Sequence, residues 1–447
     1  MHNRDTEQQV EAAQQAALRL ANVGETARNE ALRAVADTLR ANETAILAAN
    51  DEDVTEAETL LAEGEYTQAL VDRLKLDAAK LEEVAEMVES VADQADPLDR
   101  TLAARRLDDG LDLYRVSVPI GVVGTIFESR PDALVQIAAL ALKSGNAVIL
   151  KGGSEASESN QVLYRTVVEA VAEVDAIPEG WAQLVEAHEA VDRVLGMDDA
   201  VDLVMPRGSS EFVSYVEDNT QIPVLGHTEG VCHVYVDEAA DLELAGDVAV
   251  DAKVQYPAVC NAVETLLVHE GVAEAFLPAV VDRYEAAGVT LRGDAATREV
   301  VDIDPVTDED WATEYGDLEL AVGVVEDVYD AIDHVNTYGS KHTEAVLTED
   351  DERARAFMQG VDAASVFHNA STRFADGYRY GLGAEVGIST EKVHARGPVG
   401  LEGLTTEKYY LEGDGQCVAA YAGADAREFL HEEFDGEWAS GRLQRDQ

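Results

Sequence analysis

The sequence predicts an α/β protein built from two doubly wound, parallel-sheet halves, and three observations carry that expectation. From residue 111 onward, short apolar runs of strand length alternate with segments of helical periodicity. A second alternating series starts near Gly226, after the Pro and Gly breaks in IPVLGHTEG (222–230). The chain has 447 residues, 46% of them hydrophobic, enough for a sizeable core in two or three domains. Strand–helix alternation of this kind implies right-handed βαβ units and a sheet with helices on both faces.

Taken in order, residues 7–49 read as amphipathic helices, with apolar residues three and four apart. AAKLEEVAEMVESVADQ (78–94) repeats that pattern. YRVSVPIGVVGTIF (114–127) reads as two strands, or one strand bent at Pro119–Gly121, and DALVQIAALALKS (132–144) as a helix. NAVILK (146–151) and VDLVMP (201–206) are short buried strands, each followed by a helix, at 156–174 and 210–218. In the second half, strands are expected at 231–236, 263–269, 318–325, 343–348 and 363–369, with helices at 239–253, 272–287, 328–336 and 350–360. The acidic segment 292–317 is expected to be a surface loop or small excursion.

Charge excludes several functions. With 89 Asp+Glu against 33 Lys+Arg, the net charge is −56. Such a chain repels a nucleic-acid backbone or an anionic membrane. No apolar run reaches the ~18 residues of a membrane span. The N-terminus, MHNRDTEQQV, lacks a signal pattern, and three cysteines make no disulfide framework, so a reducing cytoplasm is expected. The acids are scattered along the chain, as in a surface adapted to high salt. Against that background, residues 116–154 hold only Glu128 and Asp132, where the average would give about eight. The chain keeps eight lysines, and Lys143, Lys151, Lys253, Lys341, Lys392 and Lys408 lie in or beside acid-poor stretches.

Parallel sheets bind ligands at the carboxyl ends of their strands, where helix N-termini attract anions. Two loops suit that role. One runs through Lys151, Gly152, Gly153 and Ser154, the other through Arg207, Gly208, Ser209 and Ser210. Neither is a full dinucleotide or P-loop fingerprint, and each also reads as an ordinary capped turn. The ten histidines form no HxH or HxxxH pair, so no metal is expected. His227, His342, His368 and His394 lie in loops near glycines, where polar packing is the default.

YPAVCNAVETLLVH (256–269) sets Cys260 at the mouth of a second-half strand, facing the crevice between the halves. A nucleophilic Cys needs thiolate character and oxyanion donors, which its own N–H and a neighbouring side chain can supply. Cys232, inside GVCHVYV, fits a small buried hydrophobe instead, and Cys417 has no chemical company.

VGTIFESRPDALVQIAALALKSGNAVILKGGSEA, PRGSSEFV, IPVLGHTEGVCHVYVD, YPAVCNAVETLLVH, YGSKHTEAVLTED and the long run 369–413 resemble, in order, the γ-glutamyl phosphate reductase family of the aldehyde dehydrogenase superfamily. The resemblance covers about residues 10–415. It implies an aldehyde dehydrogenase-like fold with a small β oligomerisation extension, and hence a homo-oligomer. The implied division is a cofactor domain over 1–110 and 119–225, a catalytic domain over 226–405, oligomerisation strands at 111–118 and 406–420, and a C-terminal tail, 421–447. YYLEGDGQCV (409–418) is expected to pair with 111–118 across subunits.

The implied reaction is NADPH-dependent reduction of L-glutamyl 5-phosphate to the semialdehyde, the second step of proline synthesis. It links the chain functionally to glutamate 5-kinase. Carried over by position, Cys260 is the nucleophile, with Ser129 and Asn261 as catalytic companions. Lys151, Gly153, Ser154, Arg207, Gly208 and Ser209 would hold the cofactor. Arg130, Arg373 and Arg396 are the candidates for the substrate's anionic groups, because a guanidinium fork suits phosphate and carboxylate. The water-activating glutamate of hydrolytic aldehyde dehydrogenases is missing from LGHTEGVCH, where Gly226 or His227 stands at that register and Glu229 is displaced. A hydrolytic dehydrogenase, a catalytically silent scaffold and a thiol hydrolase are the competing readings.

The charge generates a prediction. At roughly 1 M salt the Debye length is about 3 Å, so the self-repulsion of the acids is largely screened. The unfolding temperature is expected to climb steeply between about 0.1 M and several molar KCl. A salt-independent melting curve would contradict the high-salt reading.

Overall fold

A computed structural model describes residues 6–186, 190–226 and 229–439. The chain opens with helices Thr6–Leu20, Glu25–Ala41, Glu43–Glu63, Gln68–Leu74 and Ala78–Asp93. They flank a four-stranded parallel sheet with strands in the spatial order Ala182–Leu184, Ala147–Gly152, Val122–Phe127, Leu203–Arg207. Side-chain alternation along these strands splits the core in two. Val123, Phe127, Val148 and Leu150 pack on one face, against the helices Glu25–Ala41, Ala78–Asp93 and Pro131–Lys143. Val122, Ile126, Ala147 and Ile149 pack on the other, against Val10, Ala13, Val194 and Val216.

The second half is a seven-stranded parallel sheet. Its order is Asp304–Pro305, Thr290–Gly293, Glu319–Val325, Val263–His269, Cys232–Val236, Thr343–Leu347, Ser365–His368. Val234, Val236, Leu266 and Val268 meet the helices Leu242–Val254 and Glu270–Ala286. Tyr235, Leu267 and Val346 face Val328–Tyr338 and Asp351–Gly360. Both halves thus carry helices on two faces, as the alternating sequence pattern predicts. The segment 292–317 differs from expectation. Thr290–Gly293 pairs with Glu319–Val325, Asp304–Pro305 forms the sheet edge, and Ala295–Val300 is a helix. Its acids mark an exposed edge of the sheet, whose short strands lack a recognisable apolar run.

A third, antiparallel sheet stands apart, in the order Thr405–Gly413, Leu111–Pro119, Thr101–Asp108, Glu432–Glu433. The first two strands pair within one chain along all of 405–413, with Tyr410 opposite Tyr114. This differs from the expected pairing across subunits, and the strand ends at Gly413 rather than running to 418. Tight sequence-local turns did not bring these strands together, since almost 300 residues separate them. The described part of the C-terminal tail covers this sheet. Trp438 stacks on Tyr410 with ring centroids 4.0 Å apart, and Phe434 meets Tyr114 edge-on. Among the described residues, no helix is long and apolar enough to cross a membrane, and no group of three His, Cys, Asp or Glu is placed to hold a metal.

One buried ion pair joins helix to strand in the second half. Lys253, at the end of Leu242–Val254, lies 2.6 Å from Glu264, at the start of Val263–His269, and both side chains are fully buried. Burial pushes the Glu264 carboxyl up to about 7, with Lys253 opposing the shift. Gly316 also donates its N–H to Glu264, at 3.3 Å. Removing one member leaves an uncompensated buried charge, whereas replacing both with apolar groups does not. Lys253→Met is therefore expected to destabilise the protein by about 3–5 kcal/mol in urea unfolding at fixed salt. The double variant Lys253→Met/Glu264→Leu should recover most of that loss. Equal destabilisation of the single and double variants would contradict this reading.

Candidate active site

The ion pair brackets the loop 255–262, which carries Cys260. Two further bonds fasten this loop to the segment 371–375. Arg373 Nε donates to Gln255 Oε1 at 2.9 Å, and Asn261 Nδ2 donates to the Ala375 carbonyl at 2.7 Å. Asn261 is buried and its side chain holds the loop in place. On the other side, the chain passes so close at Gly230 that a Cβ there would lie 2.0 Å from the Cys260 carbonyl oxygen. Only glycine fits that approach. Cys232 donates its thiol to the same carbonyl at 3.2 Å. Burial pushes the Cys232 thiol well up, so it packs as a neutral group. Cys260 itself is half-buried, and its N–H makes no hydrogen bond among the described residues.

Two guanidinium groups lie within electrostatic reach of the Cys260 sulfur. Arg207 ends the strand Leu203–Arg207; burial and the like charge of Arg130 press its pKa down, while Glu385, Asp132 and Cys260 oppose the shift. Arg373 sits in the short 3-10 turn Thr372–Phe374. Burial and Arg379 press its pKa down, opposed by Cys260, Asp376 and Asp251. Among the described residues Arg207 has no side-chain hydrogen bond or ion pair, and Arg373 spends only its Nε, on Gln255. Arg396 lies elsewhere, bonded at 2.9 Å to Asp362, which Lys392 also holds.

The carboxyl ends of Val122–Phe127, Ala147–Gly152 and Leu203–Arg207 lie side by side, which brings the two predicted cofactor loops together. Lys151 is buried; burial presses its pKa down, and its Nζ donates to the Gly152 carbonyl at 2.5 Å. Gly153 and Ser154 follow, leading into the helix Ser157–Val171. At the other loop, Ser209 caps the helix Ser210–Asp218, and its N–H donates to Glu128 Oε2 at 3.3 Å. A Cβ on Gly208 would meet that carboxylate at 2.6 Å. Glu128 thus sits at the N-terminus of that helix, where the backbone favours an anion. Ser129, in the left-handed region at φ 50°, directs its N–H and hydroxyl to Glu155 Oε1 at 2.6 and 2.9 Å.

Sequence reasoning placed Arg207 with the cofactor; in the fold it also lies within electrostatic reach of Cys260 and Arg130. Gln255, Glu155 and Gly230 went unremarked. The Gly of EGVCH was the one readable signal among them. His342 is buried beside Thr343, while His368 and His394 bond the carbonyls of Thr348 and Gly403. His227, named for the missing base, lies outside the described residues, and Glu229 is exposed.

Comparison with known proteins agrees with the α/β fold. Residues 1–318 match the aldehyde dehydrogenase family. The gamma-glutamyl phosphate reductase of Natronomonas pharaonis is 68% identical over 97% of this chain and 99% of its own. That of Methanococcoides burtonii is 51% identical over 96% of this chain and 97% of its own. The crystal structure of gamma-glutamyl phosphate reductase from Thermotoga maritima, 41% identical, superposes with a TM-score of 0.89 over 93% of this chain and 100% of that one. With its parallel sheets, this family match and these relatives, the chain belongs to the gamma-glutamyl phosphate reductase family of aldehyde dehydrogenase-type oxidoreductases.

Proposed function

We propose that this chain reduces L-glutamyl 5-phosphate to L-glutamate 5-semialdehyde with NADPH, releasing phosphate, through a thioester on Cys260. The observation that carries this reading is the pair of guanidinium groups, Arg207 and Arg373, within electrostatic reach of Cys260 and, among the described residues, without a direct ion pair, although Glu385 and Asp132 act on the first and Asp376 and Asp251 on the second. In a chain with 89 acids and 33 Lys+Arg, a guanidinium left without an acid partner is matched to an anion from outside. The acyl phosphate supplies one.

The sulfur of Cys260 attacks the acyl carbon; the C–S bond forms and the C–O bond to phosphate breaks. Arg207 and Arg373 neutralise the departing phosphate. The unbonded N–H of Cys260 serves the oxyanion, joined by the Ser129 hydroxyl once it turns from Glu155. Asn261 keeps the loop in register through Ala375. A bound reduced nicotinamide supplies the hydride that reduces the thioester carbon. The C–S bond then breaks, freeing the aldehyde and returning the sulfur. Lys151, Gly153, Ser154, Gly208 and Ser209 are proposed to hold the nucleotide, and Arg130 and Arg396 remain candidates for the substrate's charges. Of the two, Arg130 lies near Arg207, whereas Arg396 would have to leave Asp362. We also propose a homo-oligomer joined at the extension sheet, and a glutamate-phosphorylating kinase as the source of the labile acyl phosphate.

Run in reverse, the enzyme should sustain steady NADPH formation from glutamate semialdehyde and NADP⁺ only when phosphate or arsenate is present, in molar KCl. Equal steady rates in phosphate-free buffer would make it a hydrolytic dehydrogenase instead. Cys260→Ala should lose turnover by at least about 10³-fold while still binding NADPH, read by quenching of protein fluorescence. Substantial activity in that variant would remove Cys260 from the mechanism.

A further inference from the structure

Of the two carboxylates that survive in the acid-poor stretch 116–154, Glu128 is taken up by the Ser209 N–H. Asp132 is not explained by the reaction. It is half-buried in the first turn of the helix Pro131–Lys143, a position where the helix dipole favours a carboxylate. That preference alone would not require a ligand. Arg130, two positions earlier, is also half-buried. Among the described residues, neither side chain has a hydrogen bond or ion pair, not even with the other.

Both line a cleft of about 970 Å³ between the N-terminal helices and the nucleophile loop, which contributes Tyr256. The other charged side chains there differ in state. Lys75 pairs with Asp72 at 3.1 Å and Lys80 with Glu83 at 3.3 Å, and Arg73 is exposed. Arg130 and Asp132 both act electrostatically on Arg207, as does Cys260. Asp51, Asp77 and Arg73 also line the cleft but are exposed, so Arg130 and Asp132 are its half-buried charges without an ion pair, on a wall shared with Tyr256 of the loop that carries Cys260.

An α-amino acid presents the complementary pair on a single carbon. We propose that Asp132 binds the α-ammonium of the substrate, with Arg130 on its α-carboxylate, so that this cleft selects an amino-acid aldehyde or acyl phosphate. The assignment rests on the reaction proposed above and adds Asp132 as its specificity residue. It also answers a chemical hazard. In a γ-activated glutamate, a neutral α-amine attacks its own γ-carbonyl. The C–N bond forms, the C–S or C–OP bond breaks, and the amine proton passes to the leaving group, giving the five-membered lactam 5-oxoproline. An ammonium held by Asp132 has no lone pair for that attack.

The test compares glutamate semialdehyde with 5-oxopentanoate, the same chain without the amino group, both with NADP⁺ and phosphate. In Asp132→Asn, the ratio of kcat/KM for the amino over the des-amino aldehyde should fall about 30-fold or more, as for loss of a partner to a buried charge. Lactam released per NADPH should rise. A ratio within about twofold of wild type, with lactam unchanged, would overturn the assignment and leave Asp132 a helix-dipole residue, whose loss moves stability but not this ratio. If Asp132→Asn does not fold, Asp132→Ser, which keeps a helix-start residue, gives the same readout. Loss of phosphate dependence in the wild type is a separate outcome, and it would sink the reaction rather than the ammonium site.

Discussion

The loop 255–262, which carries Cys260, hangs between the two members of a buried ion pair. Lys253 closes the helix before it and Glu264 opens the strand after it, and neither side chain reaches water. Eight residues of irregular backbone would otherwise be free to vary in conformation. Fixing both ends, and tying Gln255 and Asn261 to the 371–375 segment, leaves Cys260 little freedom relative to Arg373. Gly230 then closes the back of the loop by contact with the Cys260 backbone. Placement within a fraction of an ångström is what a covalent mechanism needs from its scaffold.

The second constraint is electrostatic. Most arginines in this chain are drawn to the surrounding acids, as in the Arg40 contacts with Glu82 and Glu89 or the Arg353 contact with Asp237. Those pairs are partly exposed and contribute little individually. Among the described residues Arg207 and Arg373 make no ion pair, although acids act on both from a distance, so their guanidinium groups remain open to a ligand. The extreme surface composition and the sparsely acidic stretch 116–154 are therefore two sides of one arrangement, in which most acids face solvent and the few at the site, such as Glu128 and Glu155, are held by specific hydrogen bonds.

Much of this was legible in the sequence because the signals are local. The period-2 and period-3.6 patterns located the strands and helices of both halves, and acid depletion located the crevice. Lysine scarcity also pointed inward, since Lys143, Lys151 and Lys253 are all buried. What was not legible depends on long-range geometry. Arg207 reads as part of a cofactor turn, and only the fold brings it within electrostatic reach of Cys260. Ser129 looks free until Glu155, 26 residues later, takes its N–H and hydroxyl. Arg396 looks like a substrate ligand until Asp362 is found beside it. The strand Thr101–Asp108 was missed because TLAARRLD has too few apolar residues to announce a strand, and only its pairing with Leu111–Pro119 reveals it.

The proposed thioester on Cys260 would tie the held loop and the unpaired guanidinium groups into one mechanism. The most direct measurement mixes the protein with glutamate semialdehyde and NADP⁺ without phosphate, then follows NADPH by stopped flow and the protein by mass spectrometry. The mechanism predicts a burst of one NADPH per chain and a glutamyl group on the peptide carrying Cys260, discharged when phosphate is added. Absence of the burst, or a glutamyl group found on any other residue, would contradict it.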